Sequence, residues 1–382
     1  MYPICRGRRK HGIRTARALA CTGAGGAGAV RFDHEPERNQ ESRIKNQEPN
    51  LTLGLIGLGA IIQKHVATVE QFDDFDITAI CDADPARVEA WQQRVGGRGF
   101  TRHTDLLEAP PDVVVVALPH ALHGVVSVEA MGAGCHVIVE KPMATTVEDL
   151  RSMLKTARDR RRALIVSETG SFEPGVVETG RRYARGDLGR FLTGSSINAR
   201  RYFNSDRPQW FLDSQASGGG MFGNVGLHRL ANARGCLPGA IPASVTAAVA
   251  HVPEHAVEAC TSALVRYRDG GSMLYEEVGY FERPPWLNGG RHFIFEKGMV
   301  SWDDTTWRMM PRDGAEITRD LPPAETTYAS VYRNLLLAID GQPCAPETRE
   351  LAQDAAIAQA AYESGRTGRD VDLGSEDWRI ES

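Results

Sequence analysis

Leu53-Gly54-Leu55-Ile56-Gly57-Leu58-Gly59-Ala60-Ile61-Ile62-Gln63-Lys64-His65 decides how the rest of the chain is read. The apolar run that opens it reads as a parallel strand buried on both faces. Gly57 and Gly59 then let the backbone turn sharply and approach a ligand. Ala60, Ile61 and Ile62 lead into a helix whose first N–H groups are free for an anion such as a pyrophosphate. Ile62 occupies the third small position of a full G-x-G-x-x-G fingerprint, so the turn alone is weak evidence. Support comes from the order of the downstream segments. Asp76-Ile77-Thr78-Ala79-Ile80-Cys81 reads as a second strand and ends in Asp82. An acid about 20 residues past the glycines suits a ribose hydroxyl. Strand, glycine turn, helix, strand and acid together point to a dinucleotide. A carboxylate at this place repels a 2′-phosphate, so NAD is expected; Arg87 nearby keeps NADP open.

Composition sets the outer bounds. The chain has 382 residues, 42% of them hydrophobic, which suffices for two domains with sizeable cores. A formal net charge of −5 makes no case for nucleic acid or a membrane surface. No run approaches the ~18 apolar residues of a membrane span. The seven cysteines are scattered and none forms C-x-x-C. Neither a disulfide framework nor a metal site is indicated, and a reducing cytoplasm is the expected location. Residues 1–50 are expected to be a disordered extension or a mis-started N-terminus, because they are polar, charged and Gly/Ala-rich. A degenerate twin-arginine signal at Arg8-Arg9 and an Arg-rich transit peptide are the competing readings.

From Leu51 the pattern is repeated βα. Pro85 suits the first turn of a helix that runs to about Arg94. Asp112–Leu118 is β-branched and continuous and ends at Pro119-His120-Ala121-Leu122-His123. Cys135–Val139 is another strand and ends in Glu140-Lys141-Pro142. A helix entered at Thr145-Thr146 and a strand over Ala163–Ser167 come next. Such alternation predicts a Rossmann-type doubly wound parallel sheet with ligands at the carboxyl ends of its strands. Gly57, Asp82, Pro119 and Lys141 all fall there. Domain boundaries of 51–170 and 171–375 are expected. In the second part, strands are expected near 191–203, 244–252, 259–268, 272–281, 291–294 and 299–302. Their sequential order and the Asp269-Gly270-Gly271 turn predict a largely antiparallel open sheet. Met221 to about Cys236 reads as one helix. Val331, Leu335 and Ile339 share a helix face, and the last helix, about Glu347 to Tyr362, is expected to pack back on a domain.

The run Gly134-Cys135-His136-Val137-Ile138-Val139-Glu140-Lys141-Pro142 closely resembles the signature of the glucose–fructose oxidoreductase/inositol dehydrogenase (Gfo/Idh/MocA) family. The glycine turn, Asp82 and the Pro119…His123 spacing extend the resemblance. So do Gly218-Gly219-Gly220…Gly226…His228 and Tyr362-Glu363-Ser364-Gly365-Arg366-Thr367-Gly368. It covers nearly everything from residue 51 onward. It implies a nicotinamide-dinucleotide domain, an α/β domain with an open sheet, and homodimers or homotetramers built on that sheet. In the family a helix carries an Asp and a His four apart. Here the pair is Asn224 and His228, so the carboxylate is missing from its usual place. Ser171 stands near a common Arg, His120 at a common Asn, and Leu118 at a common Thr.

Oxidising an alcohol needs a hydride acceptor and a group that takes the hydroxyl proton. Lys141, past the end of a buried strand, is expected to hold the substrate oxygen, with desolvation lowering its pKa. His228 is the expected acid/base group and Asn224 a positioning group, since an amide cannot take a proton. The expected cofactor contacts are Gly57, Gly59, Ala60, Ile61, Ile62, Asp82, Pro119, His123, Glu140 and Lys141. His120 is expected at the adenosine side or without a role. Arg200 and Arg201 are read as a solvated pair, and Trp286 as a pocket cap or a packing residue. The leading expectation is an NAD(P)-dependent oxidoreductase that interconverts a secondary alcohol and a ketone on a polyol, cyclitol, sugar or related ring substrate. An NAD-dependent glycosidase and a non-catalytic dinucleotide sensor are the rivals.

Overall fold

The continuous apolar runs form a six-stranded sheet in which every neighbouring pair is parallel. The structure is a computed structural model that describes residues 50–204, 206–281, 290–323 and 327–380. The first-sheet strands are β1 (Leu51–Ile56), β2 (Phe75–Cys81), β3 (Arg98–Phe100), β4 (Val113–Val116), β5 (His136–Glu140) and β6 (Leu164–Ser167). Their spatial order is β3-β2-β1-β4-β5-β6. The connecting helices are α1 (Ile62–Val69), α2 (Pro85–Val95), α3 (His103–Leu107), α4 (His123–Ala133) and α5 (Val147–Arg160). Local chemistry sets their ends. Asp84 caps α2 ahead of Pro85, and the Thr146 hydroxyl caps α5 by accepting from Asp149 N at 3.1 Å. All four valines of β4 are fully buried, as a central parallel strand requires.

The second sheet is built from β7 (Phe191–Ala199), β8 (Pro242–Ala250), β9 (Cys260–Tyr267), β10 (Ser272–Val278), β11 (Arg291–Phe295), β12 (Gly298–Trp302), β13 (Thr306–Pro311), β14 (Ile317–Asp320) and β15 (Val371–Asp372). The order is β14-β13-β12-β11-β7-β10-β9-β8-β15, antiparallel throughout except where β7 and β10 run parallel. Strands β13 to β15 go beyond the sequence expectation. β14 is exposed at every residue and β15 has two residues, so neither carries a hydrophobic period. Residues alternate across this sheet: Met273, Tyr275 and Glu277 are buried while Leu274 between them is exposed.

Helices α6 (Pro174–Ala184), α7 (Ser214–Ser217), α8 (Leu227–Cys236), α9 (Thr327–Ile339) and α10 (Thr348–Thr367) complete the described elements. The expected face of α9 is confirmed, and it belongs to the first sheet. Val331 and Leu335 are fully buried with Leu53, Leu55, Ile62, Val66, Val113 and Ile138. Helix α10 packs between the sheets, against β8, β6, α5 and α8. The expected helix over 221–236 is present, but its first turn, Phe222–Gly226, is π-helical and regular α8 begins at Leu227. Gly223 and Gly226 lie in that turn, and Gly223 N donates to the Tyr362 hydroxyl at 2.6 Å. Trp286 lies outside the described residues.

Candidate active site

The glycine turn leaves β1 through Gly57, whose φ is +93°. A Cβ there would press on Ala117 O and sit 2.7 Å from its carbonyl carbon. Only glycine fits both the dihedral and the space. Asp82 braces the turn: one oxygen accepts from Leu58 N at 2.8 Å and the other from Asp84 N at 2.9 Å. Arg87 lies 3.6 Å from both Asp82 and Asp84 and is thereby neutralised. Gly59 faces open space, since a Cβ there would meet nothing within 4 Å. No side chain caps α1 and no acid lies in its first turn. The positive end of α1 therefore faces the turn with no competing side chain, which fits the pyrophosphate of a dinucleotide. Ala60 is exposed and Ile61 half-buried at this opening. Ile62 is not at the opening: its side chain is in the core and its N–H donates to Gly59 O at 3.2 Å.

Pro119 starts a short 3-10 turn beyond β4. His123, fully buried behind it, lies 2.9 Å from Leu118 O and 2.7 Å from Pro142 O through its two ring nitrogens. It ties the segment after β4 to the segment after β5. Burial pushes its pKa down, and the two carbonyls only partly oppose this. His120 lies on that short turn. It is buried, its Nδ1 lies 2.8 Å from Ser217 O, and Trp210 and Phe211 pack edge-on against it. Ser171 is also buried and accepts from Arg234 Nη2 at 3.0 Å.

Glu140 turns inward. Its Oε1 accepts from His65 Nε2 at 3.0 Å and from the Tyr328 hydroxyl at 3.2 Å. Its Oε2 accepts from Lys141 N at 3.2 Å. An ionised carboxylate only accepts, so His65 donates from Nε2, and its Nδ1 lies 3.0 Å from the Tyr332 hydroxyl. The carboxylate is thus engaged beneath the site and fixes the backbone that carries Lys141.

Lys141 projects from the carboxyl end of β5, largely buried. Its Nζ donates to Asn224 O at 3.1 Å and also to Asn224 Oδ1. Asn224 Nδ2 in turn donates to the buried Tyr202 hydroxyl at 3.3 Å. Burial lowers the Lys141 pKa; Glu140 and Glu168 oppose the fall, and Arg200 and Arg207 add to it. His228 lies on α8, and its Nδ1 is 2.7 Å from Glu168 Oε1. Asn224 and His228 therefore have different partners, one on Lys141 and the other on Glu168. Glu168 went unnoticed in the sequence. It stands immediately after β6, so the rule that selected Asp82 and Lys141 at strand ends selects it too. Among the described residues no group of three or more His, Cys, Asp or Glu could hold a metal ion.

Comparison with known proteins bears on the family and the fold. Residues 51–168 match the family model described as "Oxidoreductase family, NAD-binding Rossmann fold". Residues 177–280 match that of the GFO/IDH/MocA C-terminal domain, and the two together span more than half of the chain. The chain is 29% identical over 185 residues to the D-glucoside 3-dehydrogenase of Escherichia coli (strain K12), covering 47% of this chain and 52% of that protein. It is 33% identical over 130 residues to a glycosyl hydrolase family 109 protein of Shewanella amazonensis, covering 30% of this chain and 28% of that protein. The chain thus spans about half or less of these two curated relatives. Among solved structures, the WlbA dehydrogenase from Bordetella pertussis, in complex with NADH and UDP-GlcNAcA, superposes with a TM-score of 0.73 at 24% identity. That likeness covers 86% of this chain and 99% of that one, and it shows the fold.

Proposed function

Since this chain belongs to the GFO/IDH/MocA oxidoreductase family, we propose that it is an NAD-dependent dehydrogenase interconverting a secondary alcohol and a ketone on a sugar, polyol or cyclitol. The observation that carries the reading is a largely buried lysine ammonium at the carboxyl end of β5, with a histidine on α8 held by a buried carboxylate at the end of β6. When bound, the nicotinamide supplies the hydride chemistry. The start of α1 and Gly59 hold the pyrophosphate, and Asp82 takes the adenosine ribose. Lys141 holds the substrate oxygen and offsets negative charge as the hydroxyl proton leaves. His228 receives that proton at Nε2, because Nδ1 is committed to Glu168. Asn224 orients Lys141. The hydroxyl-rich substrate class is supported by the likeness to the D-glucoside 3-dehydrogenase. The glycosidase reading has less support, since that likeness covers a smaller share of the chain.

Assembly and compartment belong to the same reading. The outer face of the second sheet carries exposed Leu274, Ile294, Met299 and Met310, with Ile294 opposite Met299 and Met299 opposite Met310. The apolar row of Ile294, Met299 and Met310, adjacent across three strands, supports a homo-oligomer built on the sheet. A reducing compartment is supported by the free thiols of Cys81, Cys135, Cys236, Cys260 and Cys344. Among the described residues, no helix is long and apolar enough to cross a membrane. The test is the absorbance of reduced nicotinamide with NAD and NADP in turn, against cyclitols, aldoses, sugar acids and ring diols. Turnover that Lys141→Ala abolishes, with cofactor binding retained, is the expected result. Cofactor binding without turnover of any panel member overturns the dehydrogenase reading.

A further inference from the structure

Glu168 lies at the centre of the site, yet its carboxylate is only half used. Its side chain is 4% exposed, against 29% for His228. Oε1 accepts from His228 Nδ1 at 2.7 Å and from Gly170 N at 2.6 Å. Oε2 is fully buried with no hydrogen-bond partner. A narrow cavity beside it is lined by Lys141, Leu227, Leu351 and Asp354. Leaving one oxygen of a buried carboxylate unpaired is costly, and a negative charge survives there only if nearby positive charge compensates it. The other nearby carboxylates are committed. Glu140 is bonded to His65, Tyr328 and the Lys141 amide, and Asp354 is paired with Arg234 at 2.8 Å. Asn224, against the Lys141 ammonium, carries no charge.

We infer that Glu168 is the positioning residue for His228 and the buried counter-charge for the proton His228 takes up, so that the site's carboxylate stands on β6 while the helix position beside Lys141 is neutral. The inference rests on the proposed role of His228 and deepens it. In the oxidising direction the substrate O–H bond breaks and an N–H bond forms at His228 Nε2. The carbon's hydride leaves to an oxidised nicotinamide dinucleotide, and the C=O bond forms. His228 becomes an imidazolium, and Glu168, already bonded at Nδ1, faces the new charge without reorganising. Burial pushes the Glu168 carboxyl up, but His228, the Gly170 N–H and Lys141 together hold it below the usual carboxylate range. The other charged or titratable groups facing Glu168 are Arg229 and Arg234 on α8, Asp354 on α10 and Tyr328 on α9. The His228 ring is held by the hydrogen bond that its Nδ1–H donates to Glu168.

The test follows the His228 ring by NMR in the full-length protein with labelled histidine, assigned with His228→Gln. Wild type, Glu168→Gln and Glu168→Asp are compared, alongside the pH profile of kcat/KM. Glutamine keeps an oxygen for Nδ1 but removes the charge. Glu168→Gln is expected to move the His228 Nδ1 proton resonance upfield, out of the range of a charge-assisted bond, and Glu168→Asp to restore it in part. kcat should fall about 10- to 100-fold near neutrality, with KM and NAD affinity little changed. An Nδ1 resonance unchanged in both variants overturns the inference, and so does a shifted resonance with a wild-type kcat/KM profile. If Glu168→Gln does not fold, Glu168→Asp decides, because retracting the carboxylate must weaken the Nδ1 bond and move its resonance by a smaller step. A wild-type protein that turns over no substrate defeats the dehydrogenase reading instead, and the Nδ1 resonance still reports on the Glu168–His228 pair.

Discussion

Glu140→Gln tests the foundation on which Lys141 stands. Burial alone would push the Glu140 carboxyl up. The bond and charge interaction with His65, together with the Lys141 charge, outweigh burial and hold it at about 2 against an ordinary 4.5. A carboxyl held low binds fewer protons folded than unfolded. Its stabilisation is therefore complete above the ordinary value and is lost as the pH falls towards about 2. The size is about 3 kcal/mol at about pH 7 and about 1.5 kcal/mol at about pH 3. Glutamine has nearly the same shape, but its amide nitrogen faces donors that the carboxylate accepted from, so no rearrangement restores the charge-assisted bonds. Urea denaturation of wild type and variant at both pH values measures the gap. A difference of about 3 kcal/mol that roughly halves on acidification is expected. A gap that does not change with pH, or one below about 1 kcal/mol near neutrality, refutes the assignment of this carboxylate as the electrostatic anchor of β5.

Two other substitutions bear on the turn and on the ammonium. Gly57→Ala places a Cβ against the Ala117 carbonyl and forces a positive φ on an L-residue, which together should cost about 3 kcal/mol and weaken NAD binding. Urea denaturation and a cofactor titration check this, and wild-type stability would show that the turn is not confined as described. Asn224→Asp puts a carboxylate against the Lys141 ammonium, opposes the effect of burial and should raise the Lys141-dependent limb of the kcat/KM profile by about one pH unit. An unshifted limb would separate Lys141 from the rate.

Reading by pattern succeeded where the signal is local. Val113–Val116, the Asp84-Pro85 helix start and the Asp269-Gly270-Gly271 turn each carry their structure within a few residues. The first sheet was legible for that reason, and with it the placement of Gly57, Asp82 and Lys141 at strand ends. The helix over 221–236 was legible but its π-helical first turn was not, because a helical period does not distinguish a π-helical turn from an α-helical one. β14, exposed at every residue, had no pattern to read.

The sequence by itself thus determined the parallel sheet, the glycine turn and which strand ends carry charge, because burial periodicity and turn chemistry act between near neighbours. Only the tertiary structure decided which groups meet. Lys141 reaches Asn224 across 83 residues, His228 meets Glu168 across 60, and His65 bridges Glu140 and Tyr332 across 75 and 267. It also returned α9 to the core of the first sheet and turned Ile62 away from the opening. These pairings depend on how remote elements pack, and a carboxylate such as Glu168 has no visible partner until α8 is folded against the end of β6.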